Sequence, residues 1–67
     1  MENKQKICDL LCDALRLTDA YGDIEMIEYS KSNENVAVIF KGGYTRNINV
    51  AMDSGMSMIR DIVRCLE

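Results

Sequence analysis

The sequence predicts one α+β domain in which two helices pack on one face of a three-stranded antiparallel meander, a two-layer sandwich of order α-β-β-β-α. Three observations support this: apolar residues at helical spacing near both ends, strand-forming residues between them, and polar or glycine-rich turns. A chain of 67 residues fits a single domain, residues 1–67. Because such a domain buries only roughly 60% of its unfolded surface, we expect a thin core.

The first element is an amphipathic helix over residues 3–17. Its polar residues fall on the side opposite the apolar stripe, which is the pattern of a helix with one buried face. Cys8 and Cys12 lie four residues apart on the margin of that stripe. The apolar residues at helical spacing are Ile7, Leu10, Leu11, Ala14 and Leu15.

A hairpin follows the first helix. Residues 24–29 and 36–40 are rich in strand formers, and the polar segment 31–35 between them reads as a turn.

The second hairpin turns at Gly42 and Gly43 and continues into a third strand over residues 45–50, in which one face is polar. Cross-strand partners must point to the same face of the sheet, so a two-residue turn would set valines opposite asparagines. The alternation therefore predicts a three-residue loop, 42–44, with a glycine at positive φ. The predicted pairs are Val36 with Val50, Val38 with Ile48, and Phe40 with Arg46.

The last element is a second amphipathic helix that opens at Asp53 and Ser54, both good helix caps. Its apolar side consists of Met56, Ile59, Ile62, Val63 and Leu66. We expect Met52, Met56 and Met58 to fill gaps in the core, because thioether side chains adapt to irregular spaces.

Composition argues against most enzyme chemistries. The sequence has no histidine, which excludes Cys/His zinc sites and Ser-His or Cys-His nucleophile pairs. The paired carboxylates Asp9 and Asp13 lie on the polar face of the first helix, as solvated surface charges do. The pair Gly42-Gly43 joins two strands, whereas a phosphate-binding loop leads from a strand into a helix. We therefore expect no catalytic site, no cofactor and no small-molecule ligand.

The three cysteines, Cys8, Cys12 and Cys65, are an odd number without the dense spacing of a secreted scaffold. We interpret them as reduced thiols that pack as small hydrophobic groups between the helices. A role as metal ligands or redox partners is the alternative. Nothing at the N-terminus resembles a signal peptide, so a cytoplasmic location is expected.

Eight Lys and Arg against eleven Asp and Glu give a net charge of −3. This is the opposite of the basic footprint that drives binding to a phosphate backbone, so nucleic acid is a poor first expectation. No apolar run approaches the roughly 18–20 residues that cross a bilayer, so we expect a soluble protein without a membrane partner.

The first strand is the strongest pointer to function, since it carries apolar residues on both faces. The core can absorb only one face. Either Ile27 and Tyr29 point inward, with Ile24 and Met26 outward beside Ile39, or Ile27 and Tyr29 are outside. The open face would then carry an apolar patch, which on a small domain usually marks an interaction surface. A bulge between Met26 and Ile27 would weaken this inference. The predicted interface residues are Ile24, Met26, Ile27, Tyr29 and Ile39.

Two resemblances accompany these patterns. The element order resembles the double-stranded-RNA-binding domain, but the basic cluster at the start of that family's last helix is replaced here by Asp53-Ser54-Gly55-Met56, so RNA binding is not carried over. Residues 49–63 are similar to short uncharacterised proteins of bacterial prophages and other mobile elements. That resemblance implies a bacterial cytoplasm and a small accessory or inhibitor-like protein.

We therefore expect a non-enzymatic protein–protein interaction module, either a homodimer or a subunit that docks on a larger protein through the open sheet face or an edge strand. The alternative is a nucleic-acid-associated regulator that uses basic and aromatic residues at the hairpin ends. Those residues are Lys31, Lys41, Tyr44 and Arg46.

Overall fold

The computed structural model describes residues 2–67 and confirms the α+β order that the sequence predicts. Its three strands form one antiparallel sheet in which neighbours in sequence are neighbours in space. The elements are α1 (Lys4–Arg16), β1 (Ile24–Ser30), β2 (Asn35–Phe40), β3 (Thr45–Asn49) and α2 (Gly55–Leu66).

The core lies between one face of the sheet and the two helices. Both helices contribute to it, α1 through two cysteines and α2 through Met58 and Ile62, so both cover the same face. Buried apolar residues come from both the helices and the sheet, as expected of a two-layer domain. They are Cys8, Cys12, Ile24, Ile27, Val36, Val38, Val50, Met58 and Ile62.

A β-bulge in β1 changes which residues face the core. Ile24 pairs with Phe40 and Met26 pairs with Ile39, so Glu25 is an extra residue without an opposite partner. The bulge lies between Ile24 and Met26, one step earlier than the position considered from sequence. Its consequence is that Ile24 and Ile27, three residues apart, both point into the core.

The second hairpin has the predicted loop length but a different register. Val36 pairs with Ile48 and Val38 with Arg46, so the predicted pairs Val36–Val50, Val38–Ile48 and Phe40–Arg46 are wrong by two residues. The amide of Phe40 donates to the carbonyl of Tyr44 at 2.7 Å, which places the loop at residues 41–43. Gly42 and Gly43 have φ of 96° and 91°. A loop at 42–44 would have placed Tyr44 where this turn requires a positive φ.

Both helices begin at the same end of the sheet. Asn3 caps α1 and accepts a hydrogen bond from the amide of Lys6, and Ser54 caps α2, as the sequence predicted. The carboxylate of Glu2 also accepts hydrogen bonds from the amide of Gly55 at 2.9 and 3.1 Å. A Cβ at position 55 would lie 2.6 Å from Glu2 Oε2 and 2.9 Å from Ile7 Cδ1, so a larger residue there would displace the ends of these two side chains.

Candidate interaction surfaces

The structure divides the five predicted interface residues between the two faces of the sheet. Ile24 and Ile27 are buried in the core and are not available to a partner. Tyr29 is half-buried on the helix-facing side, where the ammonium of Lys4 lies 5.7 Å from the centre of its ring. Of the two registers that the sequence left open, the one with Ile27 and Tyr29 inward is therefore adopted. Ile24, expected outward in that register, is instead turned into the core by the bulge.

Met26 and Ile39 remain on the open face, where they pair with each other. Met26 is 43% exposed and Ile39 is half-buried. The other side chains that this face carries are small or polar, so the apolar area is confined to one corner. They are Glu28, Ser30, Asn35, Ala37, Thr45, Asn47 and Asn49.

Larger apolar side chains are exposed on the helices. Leu10 on α1 is 57% exposed and Met56 on α2 is 68% exposed, while Ile59 is half-buried and Val63 is exposed. We call Leu10, Met56, Ile59 and Val63 the outer helical surface. Sequence analysis placed these residues on the core-facing side of each helix, but the apolar stripes are wider than the face that a thin core can cover.

The outer helical surface spans two neighbouring helices. Ile7 of α1 reaches the start of α2, since its Cδ1 lies 2.9 Å from where a Cβ on Gly55 would be. Leu10 follows Ile7 by three residues, whereas Ile59 and Val63 follow Gly55 at four-residue intervals. Residues at these spacings lie near one another on a helix, so Ile59 and Val63 lie toward the side of α2 that faces α1, and Leu10 lies next to the side of α1 that Ile7 presents to α2.

The methionines differ from the prediction. Met58 is buried, but Met52 is 97% exposed and Met56 is mostly exposed, so the expectation that all three fill the core is wrong for two of them. Met52 also has a φ of 65° in the loop before α2. A non-glycine residue in this left-handed region is strained, and burial of the Met52 side chain does not offset that strain. Met1 lies outside the described residues.

Three of the four predicted nucleic-acid contacts converge at one end of the sheet. Lys41, Tyr44 and Arg46 line a cleft with Asp23, and Tyr44 is exposed. Lys31 lies at the other end, beside the start of α1.

Arg46 and Tyr21 hold the end of α2 at this cleft. Nη1 of Arg46 donates to the carbonyl of Cys65 at 2.7 Å, and its guanidinium lies 5.7 Å from the centre of the Tyr44 ring. These bonds to Tyr44 and Cys65 raise the pKa of Arg46. The hydroxyl of Tyr21 donates to the carbonyl of Leu66 at 2.7 Å. The last carbonyls of a helix have no partner within it, and here Arg46 and Tyr21 supply hydrogen bonds to two of them. Both residues therefore have a structural role.

The β1 edge of the sheet is covered by side chains of α1. The amide of Tyr29 donates to Oε1 of Gln5 at 2.9 Å, and Nε2 of Gln5 lies 3.3 Å from the carbonyl of Ile27, to which it donates. The thiol of Cys12 points at the carbonyl of Glu25 at 3.9 Å. Gln5 thus bonds to the edge much as another strand would, a contact between residues far apart in sequence that no local pattern predicts.

The β3 edge has no such cover within residues 2–67. The bonds from Phe40 to Tyr44 and from Val50 to Glu34 show that the even-numbered residues of β3 point their backbone groups toward β2. Thr45, Asn47 and Asn49 therefore direct their N–H and C=O groups away from the sheet. No backbone or side-chain hydrogen bond of the described chain reaches those groups.

The cysteines of α1 are shielded thiols. Burial, with the nearby Asp9 carboxylate, raises the pKa of Cys8 to about 11, and burial also raises the pKa of Cys12. Thiolates are the reactive and metal-binding form, so these environments suit packing rather than nucleophilic chemistry. Cys65 is half-buried on α2, and all three cysteines are free. No group of His, Cys, Asp or Glu within residues 2–67 is arranged to hold a metal ion.

The carboxylate of Asp53, just before α2, lies close to that of Asp61 in the middle of the helix. Asp61 is close enough to Asp53 to raise the pKa of Asp53, through a hydrogen bond and charge repulsion together with burial. One oxygen of Asp53 is buried without a hydrogen-bond partner in the described structure.

Comparison of the chain with protein-family models, curated proteins and solved structures finds no match in any of the three. The resemblances drawn from sequence therefore stay predictions. Among residues 2–67, no helix has the length and apolar character needed to span a membrane.

Proposed function

We propose that this domain is a non-enzymatic protein-interaction module that binds a segment of another protein along its outer helical surface. The observation that carries the proposal is the exposure of Leu10, Met56 and Val63 on neighbouring helices, whereas the open face on the other side of the sheet is mostly polar. Contiguous apolar surface on a small domain usually marks an interaction site. The exposed Met56 suits such a site because its side chain repacks around a partner.

The charges beside this surface favour a particular partner. Arg60 lines a shallow groove on α2 together with Met56 and Val63. An amphipathic helix would place its apolar face on this groove, and acidic residues beside that face would complement Arg60. We therefore propose an acidic amphipathic helix as the ligand class.

The shielded thiols support a non-enzymatic role. Cys8 and Cys12 are buried, and the raised pKa of each disfavours the thiolate that a nucleophile requires. The protein also lacks histidine, the commonest acid–base catalyst.

The test is an NMR titration of the isotope-labelled domain with two designed helical peptides. Both carry leucines at helical spacing, and they differ only in having glutamates or lysines on the flanks. We expect the acidic peptide to shift the resonances of Leu10, Met56 and Val63, and to bind at least tenfold more weakly to the Arg60→Glu variant. Equal binding of both peptides, or shifts confined to the sheet, would contradict the proposal.

A second candidate function, contact with single-stranded nucleic acid, has one supporting observation. Lys41 and Arg46 flank the exposed ring of Tyr44, and an aromatic ring beside cations suits base stacking. Asp23 in the same cleft opposes it. Titration with an oligonucleotide at low salt, using the wild type and Tyr44→Ala, tests this function: salt-dependent binding that the variant loses would support it, and no binding at low salt would eliminate it.

A further inference from the structure

The free edge of β3 is self-complementary. The strand has five residues, and the outward backbone groups belong to the first, third and fifth, Thr45, Asn47 and Asn49. If two such strands run antiparallel with Asn47 opposite Asn47, every outward N–H meets a C=O of the other strand. Neither strand would then leave an unpaired group on this edge.

We propose that β3 pairs with β3 of a second copy of this chain, antiparallel and centred on Asn47, so that the two sheets become one six-stranded sheet. The partner is an identical chain because the centred register satisfies both edges at once, which is the property of a two-fold symmetric interface. This inference uses a different surface from the proposed function and does not depend on it.

The side chains are compatible with this register. On the open face, Asn47 lies opposite Asn47 and Thr45 opposite Asn49 of the second copy. On the helix-facing side, Arg46 lies opposite Ile48, so no like charges are directly opposed across the interface. The edge also lacks the features that block pairing, since β3 contains no proline and its register with β2 shows no bulge.

Helical spacing sets Asp61 on the opposite side of α2 from Val63, so Asp61 lies on the flank that faces away from α1, above β3. Arg64, three residues further along, is its neighbour on this flank, which adds charge complementarity to the edge. Arg46 bonds to the carbonyl of Cys65, which fixes the end of α2 near the level of Arg46. One strand residue advances as far as about two helix residues, so Asn47 lies below the segment between Asp61 and Arg64. The two-fold axis through Asn47 therefore brings Asp61 of one copy to the level of Arg64 of the other. Asp61, which crowds Asp53 in the single chain, gains a cation there.

The experiment measures solution mass by light scattering and sedimentation over a wide concentration range. We expect twice the chain mass of 7.6 kDa at high concentration, together with slowed amide exchange at Thr45, Asn47 and Asn49. Asn47→Pro removes the central donor, and proline is tolerated where an edge N–H faces solvent. We expect this variant to raise the dimer dissociation constant about tenfold or more, whereas Asn47→Ser, which keeps the donor, leaves it within about twofold.

A second test, which does not involve proline, swaps the charges at positions 61 and 64. Asp61→Arg weakens the dimer by setting two cations opposite each other, and the double variant Asp61→Arg with Arg64→Asp restores it. A monomer at all concentrations would overturn the inference. A dimer that Asn47→Pro leaves intact but Met56→Glu dissolves would also overturn it, by placing self-association on the outer helical surface.

Discussion

The two edges of the sheet differ in how their backbone groups are satisfied. At β1, α1 supplies Gln5 to the groups of Ile27 and Tyr29, and a bulge at Glu25 interrupts the edge further along. At β3, the outward groups of Thr45, Asn47 and Asn49 meet no partner within residues 2–67. Covering side chains and bulges are both means by which proteins protect an edge from pairing with another chain.

This difference assigns the two edges different roles. A thin domain cannot leave many backbone groups unsatisfied near its core, so the edge against which α1 packs is closed by the chain itself. The β3 edge lies beside the polar residues of the open face, and its outward groups are not covered by any side chain of residues 2–67. We therefore interpret β1 as a structural edge and β3 as the edge available for assembly.

The largest expected effect is on the free energy of unfolding, when the core-facing isoleucine of β1 or of β3 is truncated. Ile27 on β1 is buried, whereas Ile48 on β3 is half-buried. We expect Ile27→Ala to lower the free energy of unfolding by about 2–5 kcal/mol and Ile48→Ala to lower it less, because truncation of a buried side chain leaves a cavity. Urea denaturation of both variants measures the difference.

Ile27→Val provides a measurable variant if the alanine substitution prevents folding, with an expected loss of about 0.5–1.5 kcal/mol. Equal losses for the alanine variants at positions 27 and 48 would show that both strands are anchored alike, and the contrast between the edges would then be confined to hydrogen bonding.

The next largest effect is the loss of stability when the Gln5 side chain, which bonds to the edge of β1, is removed. Gln5→Ala removes the partners of the Tyr29 amide and the Ile27 carbonyl, which are part-buried. We expect the free energy of unfolding to fall by about 1–3 kcal/mol, since a buried group without a partner carries its desolvation cost. Asn47→Ala, which changes an exposed side chain on the other edge, is the matched control, with an expected change within about 0.5 kcal/mol in dilute solution.

Amide exchange at Tyr29 gives an independent measurement. It should accelerate in Gln5→Ala and stay unchanged in Asn47→Ala. If Gln5→Ala is as stable as the control, water replaces the glutamine, and α1 does not protect the edge.

The same comparison shows how far the sequence predicts this molecule. Helical spacing and alternation predicted all five elements, because those patterns arise from which face each element buries. A bulge in β1 was considered from the sequence only as an alternative, between Met26 and Ile27, whereas the structure has it at Glu25, since bulges depend on strand pairing rather than on local pattern. The bulge turns Ile24 into the core and leaves Met26 and Ile39 as the large apolar pair on the open face.

The candidate surfaces were harder to predict for a different reason. The wide apolar stripes on both helices were visible in the sequence, but whether Leu10 and Met56 are buried depends on how much area the sheet offers them. The cover that Gln5 provides and the cap that Glu2 provides join residues far apart in the chain. Only the packed fold brings such polar groups together.

The smallest expected effect is on thermal stability and comes from two neighbouring carboxylates, Asp53 and Asp61, on the β3 side of the molecule. Asp61 raises the pKa of Asp53 above its ordinary value of 3.8, so the folded state binds a proton more tightly than the unfolded chain. Stability from this group is therefore complete below the ordinary pKa and declines as pH rises through the folded value. Asp61→Asn removes the main cause, and we expect it to raise the melting temperature slightly at pH 7.

The advantage of Asp61→Asn should vanish as pH falls below about 4, since Asp53 is then protonated in both states. Thermal unfolding of dilute monomer from pH 3 to pH 7 measures this, with Asp19→Asn as a control that removes an equal charge from an exposed turn. A gain for Asp61→Asn that persists unchanged at pH 3 would show that its origin is not the carboxylate pair. The rise in melting temperature should be smaller at concentrations where the wild type dimerises. Such a result would indicate that a cation of the second copy neutralises Asp61 and relieves its repulsion of Asp53.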